Sequence, residues 1–409
     1  MQVILIAFLH SSTVGIVTAA PRQISAGSNS TCHIDANSRL TCWGNNSFGQ
    51  LGIGNFVPFP NPRVVAFFTS VTAISVGDGF ACAISSGAVF CWGKNDLGQL
   101  GNGTTTLSNA PTPVIGLSAN VTAVAAGGSH ACAVQNFLIK CWGNNSHGQL
   151  GLGPFTGIGD FQKEPKQTFG PFGAVSSVTI SAGEEHTCAT AIVDRSRKLF
   201  CWGFNNLHQA GQANETQDFV SPTEVKRPPG KFAPFSVAAG RRHTCGVYRQ
   251  LTESRVYCWG SNSFGQLGLG HKQPCGDCFQ PTLPVIDNTA SVATGPTSNH
   301  TCSLANDGKM HCWGSNEFGQ IGNNTQTNQF KATVPLGMNN RVTMISVGEN
   351  YTCSLALRPL SIIRRRPLTA VRGRLLLTLH AFCWGQNTDG QLGVRDFKSR
   401  LAPTSVFGF

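Results

Sequence analysis

The stretch Cys141-Trp142-Gly143-Asn144-Asn145-Ser146-His147-Gly148-Gln149-Leu150-Gly151 (CWGNNSHGQLG) decides the fold, because near-copies of it recur along the whole chain. The triplet Cys-Trp-Gly occurs seven times, and these copies contain every tryptophan of the 409 residues. They are Trp43, Trp92, Trp142, Trp202, Trp259, Trp313 and Trp384. A tandem repeat of about 50 residues is typical of propellers and solenoids.

Each repeat reads as four short strands. The run Val121–Ala126 alternates branched and small residues, as a half-buried strand does. A hairpin follows between the paired cysteines, and a loop rich in Pro, Thr and Asn leads to a last strand such as Pro111–Val114. The sequence therefore predicts an all-β fold, a seven-bladed β-propeller built from about 50-residue repeats of four short antiparallel strands.

The cysteine spacing tests this interpretation. Midway between Cys82 and Cys91 lies Ser86-Gly87, a good two-residue hairpin turn, so the two cysteines face each other across adjacent strands. For the pairs Cys188/Cys201 and Cys245/Cys258 we expect longer hairpin tips. One disulfide per blade follows, and the alternative is seven pairs of free buried thiols. The predicted pairs are Cys32–Cys42, Cys82–Cys91, Cys132–Cys141, Cys188–Cys201, Cys245–Cys258, Cys302–Cys312 and Cys353–Cys383.

Several features indicate an extracellular protein. Residues 1–20 have the short apolar core and small residues of a secretory signal, with an ordinary leading strand as the alternative. Sixteen cysteines agree with secretion. Nine N-x-S/T sequons agree too, although a chain rich in Asn, Ser and Thr contains some by chance. The sequons are Asn29, Asn45, Asn102, Asn120, Asn144, Asn214, Asn299, Asn323 and Asn350. No other stretch has the ~18 apolar residues of a membrane span.

The formal charge of +11 is concentrated in one segment. Six arginines lie between Arg358 and Arg374, and the remaining charge of about +5 reads as an ordinary surface, which argues against nucleic-acid binding. The last cysteine pair is also separated by 30 residues, where the others are separated by 9 to 13. Residues 358–381 are therefore an anomalous basic insertion, either a loop for acidic glycans or, as we favour, a gene-model error.

Candidate chemistry is sparse. His130, His186, His243 and His300 recur at one repeat position, where they either converge on a metal or, as we favour, each satisfy a buried backbone carbonyl of their own blade. The pair Cys275 and Cys278 has the spacing of a redox or zinc motif, but we expect a small loop-closing disulfide. No catalytic motif is present, so we predict no enzyme activity, no metal and no cofactor.

The pattern G-x-x-H-T-C followed by C-W-G-x-N-x-x-G-Q-L-G resembles the repeat of the regulator of chromosome condensation family, in its secreted, cysteine-paired form. The resemblance implies a seven-bladed propeller closed by pairing strands from both chain ends within one blade. A plant photoreceptor of that family uses a G-W-R-H-T motif. The nearest match here is Gly240–Thr244, with Arg241 in the place of tryptophan, which disfavours a photoreceptor role.

The resulting expectation is a secreted, non-enzymatic scaffold. It would act as a monomer and bind an unidentified protein or glycan, but no nucleic acid, through loops on a rigid propeller face. The resemblance leaves two alternatives open. One is guanine-nucleotide exchange on a small GTPase, and the other is inhibition of a secreted enzyme.

Overall fold

The structure, a computed structural model, describes residues 23–154, 160–170, 176–212, 218–272, 284–359 and 377–409. The regular structure of these residues is entirely β-strand, arranged in seven four-stranded antiparallel sheets. Each sheet is one blade, and its strands A to D follow one another along the chain. The predicted all-β, seven-bladed propeller is confirmed.

The first four blades run from Gln23 to Glu224. Blade 1 contains β1 (Gln23–Ala26), β2 (Ser30–Ile34), β3 (Leu40–Gly44) and β4 (Phe59–Val64). Blade 2 contains β5 (Val71–Val76), β6 (Phe80–Ser85), β7 (Ala88–Gly93) and β8 (Ser108–Pro113). Blade 3 contains β9 (Val121–Ala126), β10 (His130–Gln135), β11 (Leu138–Gly143) and β12 (Gln162–Gln167). Blade 4 contains β13 (Ser176–Ala182), β14 (His186–Val193), β15 (Ser196–Gly203) and β16 (Phe219–Glu224).

The last three blades run from Ala233 to Ser405. Blade 5 contains β17 (Ala233–Ala239), β18 (His243–Gln250), β19 (Glu253–Gly260) and β20 (Pro284–Asp287). Blade 6 contains β21 (Thr289–Ala293), β22 (His300–Ala305), β23 (Met310–Gly314) and β24 (Gln329–Thr333). Blade 7 contains β25 (Val342–Val347), β26 (Tyr351–Pro359), β27 (Leu377–Gly385) and β28 (Arg400–Ser405).

Every blade is joined internally by one disulfide between its B and C strands. In blade 3 the register opposes Cys132 to Cys141, and all seven blade disulfides have Cα atoms 4.1 Å apart. The pairs are the seven that the hairpin spacing predicts. Their sulfur-bearing residues are buried, so the disulfides lie in the core between blades.

The prediction of longer hairpin tips in blades 4 and 5 was wrong. In blade 4 the strands pair as far as Val193 and Ser196, and a two-residue turn at Asp194-Arg195 closes the hairpin, with both residues at positive φ. In blade 5 the pairing extends to Gln250 and Glu253. The extra residues lengthen the antiparallel ladder, because each added pair of residues gains backbone hydrogen bonds that an open loop would leave to water.

The glycines of the repeat allow neighbouring blades to approach closely. Gly52 has φ +69°, and a Cβ there would lie 2.7 Å from Nε1 of Trp92 in the next blade. Gly44 has φ +106°, and a Cβ there would lie 2.5 Å from the carbonyl oxygen of Asn29. Only glycine meets both requirements without strain. The second glycine of G-Q-L-G is therefore what lets the loop of one blade cover the tryptophan of the next.

The ring closes differently from the scheme that the resemblance implied. Strand β1 pairs with β2 in blade 1, and β28 pairs with β27 in blade 7, so no strand pairing between the described chain ends is involved. Each of the seven described blades contains four strands that are consecutive along the chain. Blades 7 and 1 meet through side chains and loops, as when Trp43 Nε1 donates to the carbonyl of Gln391 at 3.0 Å.

Candidate functional site

The joints between blades are built on the glutamine of G-Q-L-G. The backbone carbonyl of Gln149 accepts a hydrogen bond from Trp202 Nε1 and another from Thr187 Oγ1, both at 2.9 Å. Thr187 and Trp202 belong to the next blade. The same two bonds recur at Gln266, Gln320 and Gln391. All seven tryptophans are fully buried and pack in these joints, and six of them donate Nε1–H to a glutamine carbonyl of the preceding blade.

The four recurrent histidines belong to the same joints. Each ring Nε2 lies 2.8 Å from a threonine hydroxyl of the next blade. The pairs are His130–Thr187, His186–Thr244, His243–Thr301 and His300–Thr352. The expectation of a backbone carbonyl within the same blade was therefore wrong. Histidine reaches across the joint because its imidazole projects from the start of strand B, where the neighbouring blade is closest.

The hydrogen bonding fixes the state of these histidines. Each threonine hydroxyl donates to a glutamine carbonyl, so it must accept from Nε2–H, and the imidazole is the neutral Nε2 tautomer. Burial lowers the pKa of all four imidazoles to about 3. The Nδ1 atoms of His130, His186 and His243 have no hydrogen-bond partner. Each ring is thus already bound within one joint, an arrangement that does not bring histidines together around a metal.

Two of the three remaining joints, those with an aromatic residue at the histidine position, show which residue pairs are compatible. In blade 7 Tyr351 takes the histidine position, and its hydroxyl lies 2.9 Å from Thr31 Oγ1 of blade 1. In blade 2 that position is Phe80, whose core cluster contains Ala131 of blade 3 at the threonine position. A polar ring thus faces a hydroxyl, and an apolar ring faces a methyl group. The pairing across consecutive repeats is a sequence signal that our reading missed.

This rule predicts a non-additive pair of substitutions. Thr301→Ala should cost about 2 to 3 kcal/mol, because it leaves the Nε2–H of His243 buried without an acceptor. The double variant His243→Phe/Thr301→Ala recreates the Phe80–Ala131 pair, and we expect it to be more stable than Thr301→Ala alone. Guanidinium unfolding midpoints at neutral pH provide the measurement. Strictly additive costs would show that the two side chains are not coupled.

The joint between blades 4 and 5 departs from the repeat pattern. The fourth repeat has His208-Gln209-Ala210-Gly211 in place of G-Q-L-G. Gln209 still accepts from Thr244 Oγ1 at 2.7 Å, but Trp259 Nε1, buried in the described structure, has no partner. Ala210 also replaces the buried leucine or isoleucine that the other six repeats have at this position. The sequence change in this repeat is therefore accompanied by a lost hydrogen bond and a smaller core residue.

The propeller has two distinct faces. On the first, which we call the loop face, the A–B turns meet the beginnings of the C–D connections, as when Asn45 N donates to the carbonyl of Asn29. On the second, which we call the hairpin face, the B–C turns meet the D–A connections, as when Val121 N donates to the carbonyl of Gly87. Because loops on rigid scaffolds carry most binding functions, these two faces are the candidate surfaces.

The loop face carries a mixed group of charges near the inner strands. Glu184 lies 3.2 Å from Arg241 Nε and 3.7 Å from Arg242 Nε. Burial raises the pKa of the Glu184 carboxyl, and Arg241 opposes that shift. Burial, and then the charge of Asp78, raise the pKa of Glu349. Arg241, which stands where the photoreceptor motif has tryptophan, thus balances acidic neighbours on this face.

The loop face also carries most of the described sequons. Asn29, Asn299 and Asn350 lie in A–B turns, and Asn45 and Asn144 begin C–D connections. Two further sequons, Asn102 and Asn323, directly follow the C–D glycines that contact the next blade's tryptophan. Asn120 lies in a D–A connection on the hairpin face, and Asn102 and Asn323 also lie beside D–A connections, since Gly101 and Gly322 accept from Ile115 N and Leu336 N. The Asn45 amide is engaged, since Nδ2 donates to Asp389 and Oδ1 accepts from Gln50 Nε2.

The hairpin face of blades 4 and 5 is strongly basic. Three arginines meet there, in what we call the blade 4–5 cleft, defined by Arg197, Arg227, Arg249 and Phe235. The Cζ atoms of Arg249 and Arg197 lie 3.4 Å and 5.4 Å from the centroid of the Phe235 ring. Arg227 Nη2 donates to Ser196 Oγ and to the carbonyl of Arg197, both at 2.6 Å.

Carboxylates near the cleft are committed to other cations. Glu224 pairs with Lys198 at 3.1 Å, and Asp287 pairs with Arg255 at 3.2 Å. Within the described part of the chain, none of the three cleft arginines has a carboxylate in ion-pair range. Arg249 instead donates to the carbonyl of Ala290 at 3.1 Å. Burial, and then the charge of Arg197, lower the pKa of Arg249. The charge outside the insertion, which the sequence indicates to be an ordinary surface, thus includes a local group of three arginines without paired carboxylates.

Some predicted features lie outside the described residues. They are residues 1–20, Cys275 and Cys278, Asn214, and most of the insertion at 358–381. Across the described ranges there is no group of three or more His, Cys, Asp and Glu side chains arranged to hold a metal ion. The same ranges contain no helix with the length and apolar character to cross a membrane.

Comparison with known proteins identifies the family. A family model described as the RCC1-like domain matches residues 23–354, and the regulator of chromosome condensation (RCC1) repeat matches residues 380–409. The chain belongs to the RCC1-like domain family. The two matches leave 355–379 between them, which overlaps most of the basic insertion.

The RCC1-like chain is similar to proteins of several kinds. It is 29% identical over 400 residues to the ultraviolet-B receptor UVR8 of Arabidopsis thaliana, covering 95% of this chain and 83% of that protein. It is 31% identical over 377 residues to the probable E3 ubiquitin-protein ligase HERC4 of Rattus norvegicus, covering 90% of this chain. The match spans only 32% of HERC4, so that ligase has a large part that this chain does not match.

Solved structures show the same RCC1-like fold. Human WBSCR16 has a TM-score of 0.69 at 20% identity, with 90% of this chain and 94% of that chain covered. Prp20p of Saccharomyces cerevisiae, described with its binding properties to Gsp1p and histones, has a TM-score of 0.64 at 22% identity. That comparison covers 81% of each chain. At these identities the likeness establishes the fold alone.

Proposed function

We propose that this RCC1-like propeller is a secreted, non-enzymatic binding platform whose loops recognise a protein or glycan partner. The observation that supports the proposal is the set of seven blade disulfides, each buried within one blade. Structural disulfides persist in oxidising compartments and are rare in the cytosol and nucleus. A propeller joined in this way is rigid, which suits a surface that binds without reorganising.

Further parts of the proposal concern processing. Residues 1–20 act as a signal peptide, and N-glycans occupy sequons, with Asn29, Asn120 and Asn299 the best placed because their amides make no hydrogen bond in the described structure. Cys275 and Cys278 form a small loop disulfide, and the mature protein is a monomer. The insertion at 358–381 interrupts an otherwise regular repeat. It is therefore either a basic surface loop for acidic glycans or, as we favour, a gene-model error.

Exchange on a small GTPase is the second candidate, because the chain belongs to the RCC1-like family. It requires a cytosolic or nuclear protein whose cysteines are kept reduced. Inhibition of a secreted enzyme is a special case of the platform. No residue of either face stands out as a nucleophile with an adjacent base, so the platform is proposed without turnover.

Location separates the platform from the exchange factor. The complete sequence, with a C-terminal tag, is expressed in a cell line that glycosylates secreted proteins. We expect the protein in the medium, with its N-terminus after residue 20 and with a mass that falls on treatment with peptide N-glycosidase. A matched variant lacking residues 2–20 should stay in the cell. Retention of the complete protein in the cytosol or nucleus would favour the exchange factor instead.

A further inference from the structure

We propose that the blade 4–5 cleft binds an acidic polysaccharide, with Arg197, Arg227 and Arg249 contacting its sulfate or carboxylate groups. This deepens the proposed function, on which it rests for the extracellular setting. It assigns the binding face to the hairpin side of the ring and names the chemistry of the ligand. Neither the family match nor the fold implies this assignment.

The three guanidinium groups are arranged in a way that suits an anion, because no carboxylate of the described residues pairs with them. Bringing like charges together costs free energy, and folded proteins normally place carboxylates between them. Here Glu224 and Asp287 pair with other cations, and Asp194 in the blade 4 hairpin turn forms no ion pair with the three arginines in the described structure. Contacts within the protein nevertheless hold the guanidinium groups in place. Arg249 stacks on Phe235 and donates to the carbonyl of Ala290, and Arg227 donates to the carbonyl of Arg197. A pre-ordered guanidinium forms its remaining hydrogen bonds with less entropy loss.

The surroundings favour an extended polyanion over a single small anion. Exposed Arg195, Lys226 and Lys231 continue the positive surface beyond the cleft. A chain with repeated charges can contact these residues and the cleft together, and it gains affinity through released counterions. A small ligand would require an enclosed pocket, whereas these groups lie along an open hairpin face.

Two observations favour a polysaccharide over a nucleic acid at this cleft. Proteins that bind single strands stack bases on exposed aromatic rings, and the Phe235 ring of the cleft is already covered by Arg249 at 3.4 Å. The exposed rings of Phe137 and Phe169 lie on the same face but outside the residues that define the cleft. The second observation is that five described sequons lie on the loop face, where glycans would leave the cleft open to an extracellular ligand.

The test uses the purified, disulfide-bonded protein and immobilised heparin as the probe. The variant Arg197→Gln/Arg227→Gln/Arg249→Gln should bind about 30-fold more weakly at about 0.15 M salt, because three charge-assisted contacts are lost. A matched control, Lys163→Gln/Lys272→Gln/Lys398→Gln, removes the same charge from exposed positions outside the hairpin face. It should bind within about 3-fold of the parent, since long-range charge is screened. Neutral dextran should not bind the parent.

A second variant covers the case in which the cleft substitutions prevent folding. Arg195→Gln/Lys226→Gln/Lys231→Gln changes exposed side chains only, and we expect about 5-fold weaker heparin binding. Equal losses for the control and the cleft variant would overturn the proposal, as would unchanged binding by both hairpin-face variants. Tighter binding of a single-stranded DNA oligonucleotide than of heparin would also overturn it. The assay does not depend on cellular location, so a retained protein would reject the secreted platform while leaving the cleft intact.

Discussion

Reduced protein will not fold at neutral pH in the absence of denaturant. Each blade disulfide closes a loop of 9 to 30 residues, and the loss of unfolded-chain entropy from each is worth about 2.5 to 3.5 kcal/mol. Seven such contributions sum to about 20 kcal/mol, more than the ~5–15 kcal/mol by which domains are usually stable. The propeller therefore depends on its disulfides.

The experiment is a refolding cycle. The protein is unfolded in guanidinium chloride with dithiothreitol, its thiols are alkylated, and the denaturant is removed. We expect no cooperative unfolding transition afterwards, whereas the same cycle without reductant should restore it. Reductant added without denaturant should reduce the disulfides slowly. They are buried, so the attacking thiolate reaches them only when the protein unfolds. A cooperative transition in the alkylated chain would contradict this dependence.

Acid should destabilise the propeller far above the pH at which its carboxylates titrate. The imidazoles of His130, His186, His243 and His300 have a pKa of about 3 in the folded state and about 6.5 in the unfolded chain. Above about pH 7 both states are neutral and the stability is complete. As the pH falls below 6.5, the four imidazoles bind protons in the unfolded chain but stay neutral in the folded protein. The free energy of unfolding therefore decreases until about pH 3, where the folded imidazoles also become protonated.

The loss of stability in acid is large because a buried histidine contributes to it in each of four joints. Linkage predicts a loss of about 2 kcal/mol for each histidine at pH 5, or roughly 8 kcal/mol in total. The raised pKa values of Glu184 and Glu349 act in the opposite direction and offset part of this loss. Denaturant unfolding midpoints measured from pH 7.5 to pH 5 give the loss of stability. The double variant His243→Phe/Thr301→Ala removes one histidine and should lose about a quarter of the sensitivity. If parent and variant lost equal stability between pH 7.5 and pH 5, groups other than the joint histidines would be responsible for the acid sensitivity.

The repeat made much of the fold predictable from sequence. Cys-Trp-Gly fixes the position of strand C, and the centred turns such as Ser86-Gly87 fix the opposing cysteine, because a hairpin register depends only on local spacing. The hairpin lengths in blades 4 and 5 were not predicted. Spacing gives the distance between the cysteines, but it does not say whether extra residues such as Ile192 and Arg197 pair or loop out.

The joints and the basic cleft escaped the sequence reading for a common reason. His243 and Thr301 are separated by 58 residues, the other three pairs of this kind by 52 to 58, and no local pattern relates them. Likewise Arg197, Arg227 and Arg249 are spread over two blades and one connection. Composition counts their charges but not their separation in space. An alignment of each repeat with the next would have revealed the pairing across the joints. A histidine in one repeat is matched by a threonine in the following repeat, and Phe80 is matched by Ala131.

Peptide mapping under non-reducing conditions, on protein recovered from culture medium, tests the central claim most directly. The account predicts seven disulfide-linked peptide pairs, each within one repeat, from Cys32–Cys42 to Cys353–Cys383. Free thiols at these positions, or disulfides between cysteines of different blades, would contradict both the blade register and the extracellular platform.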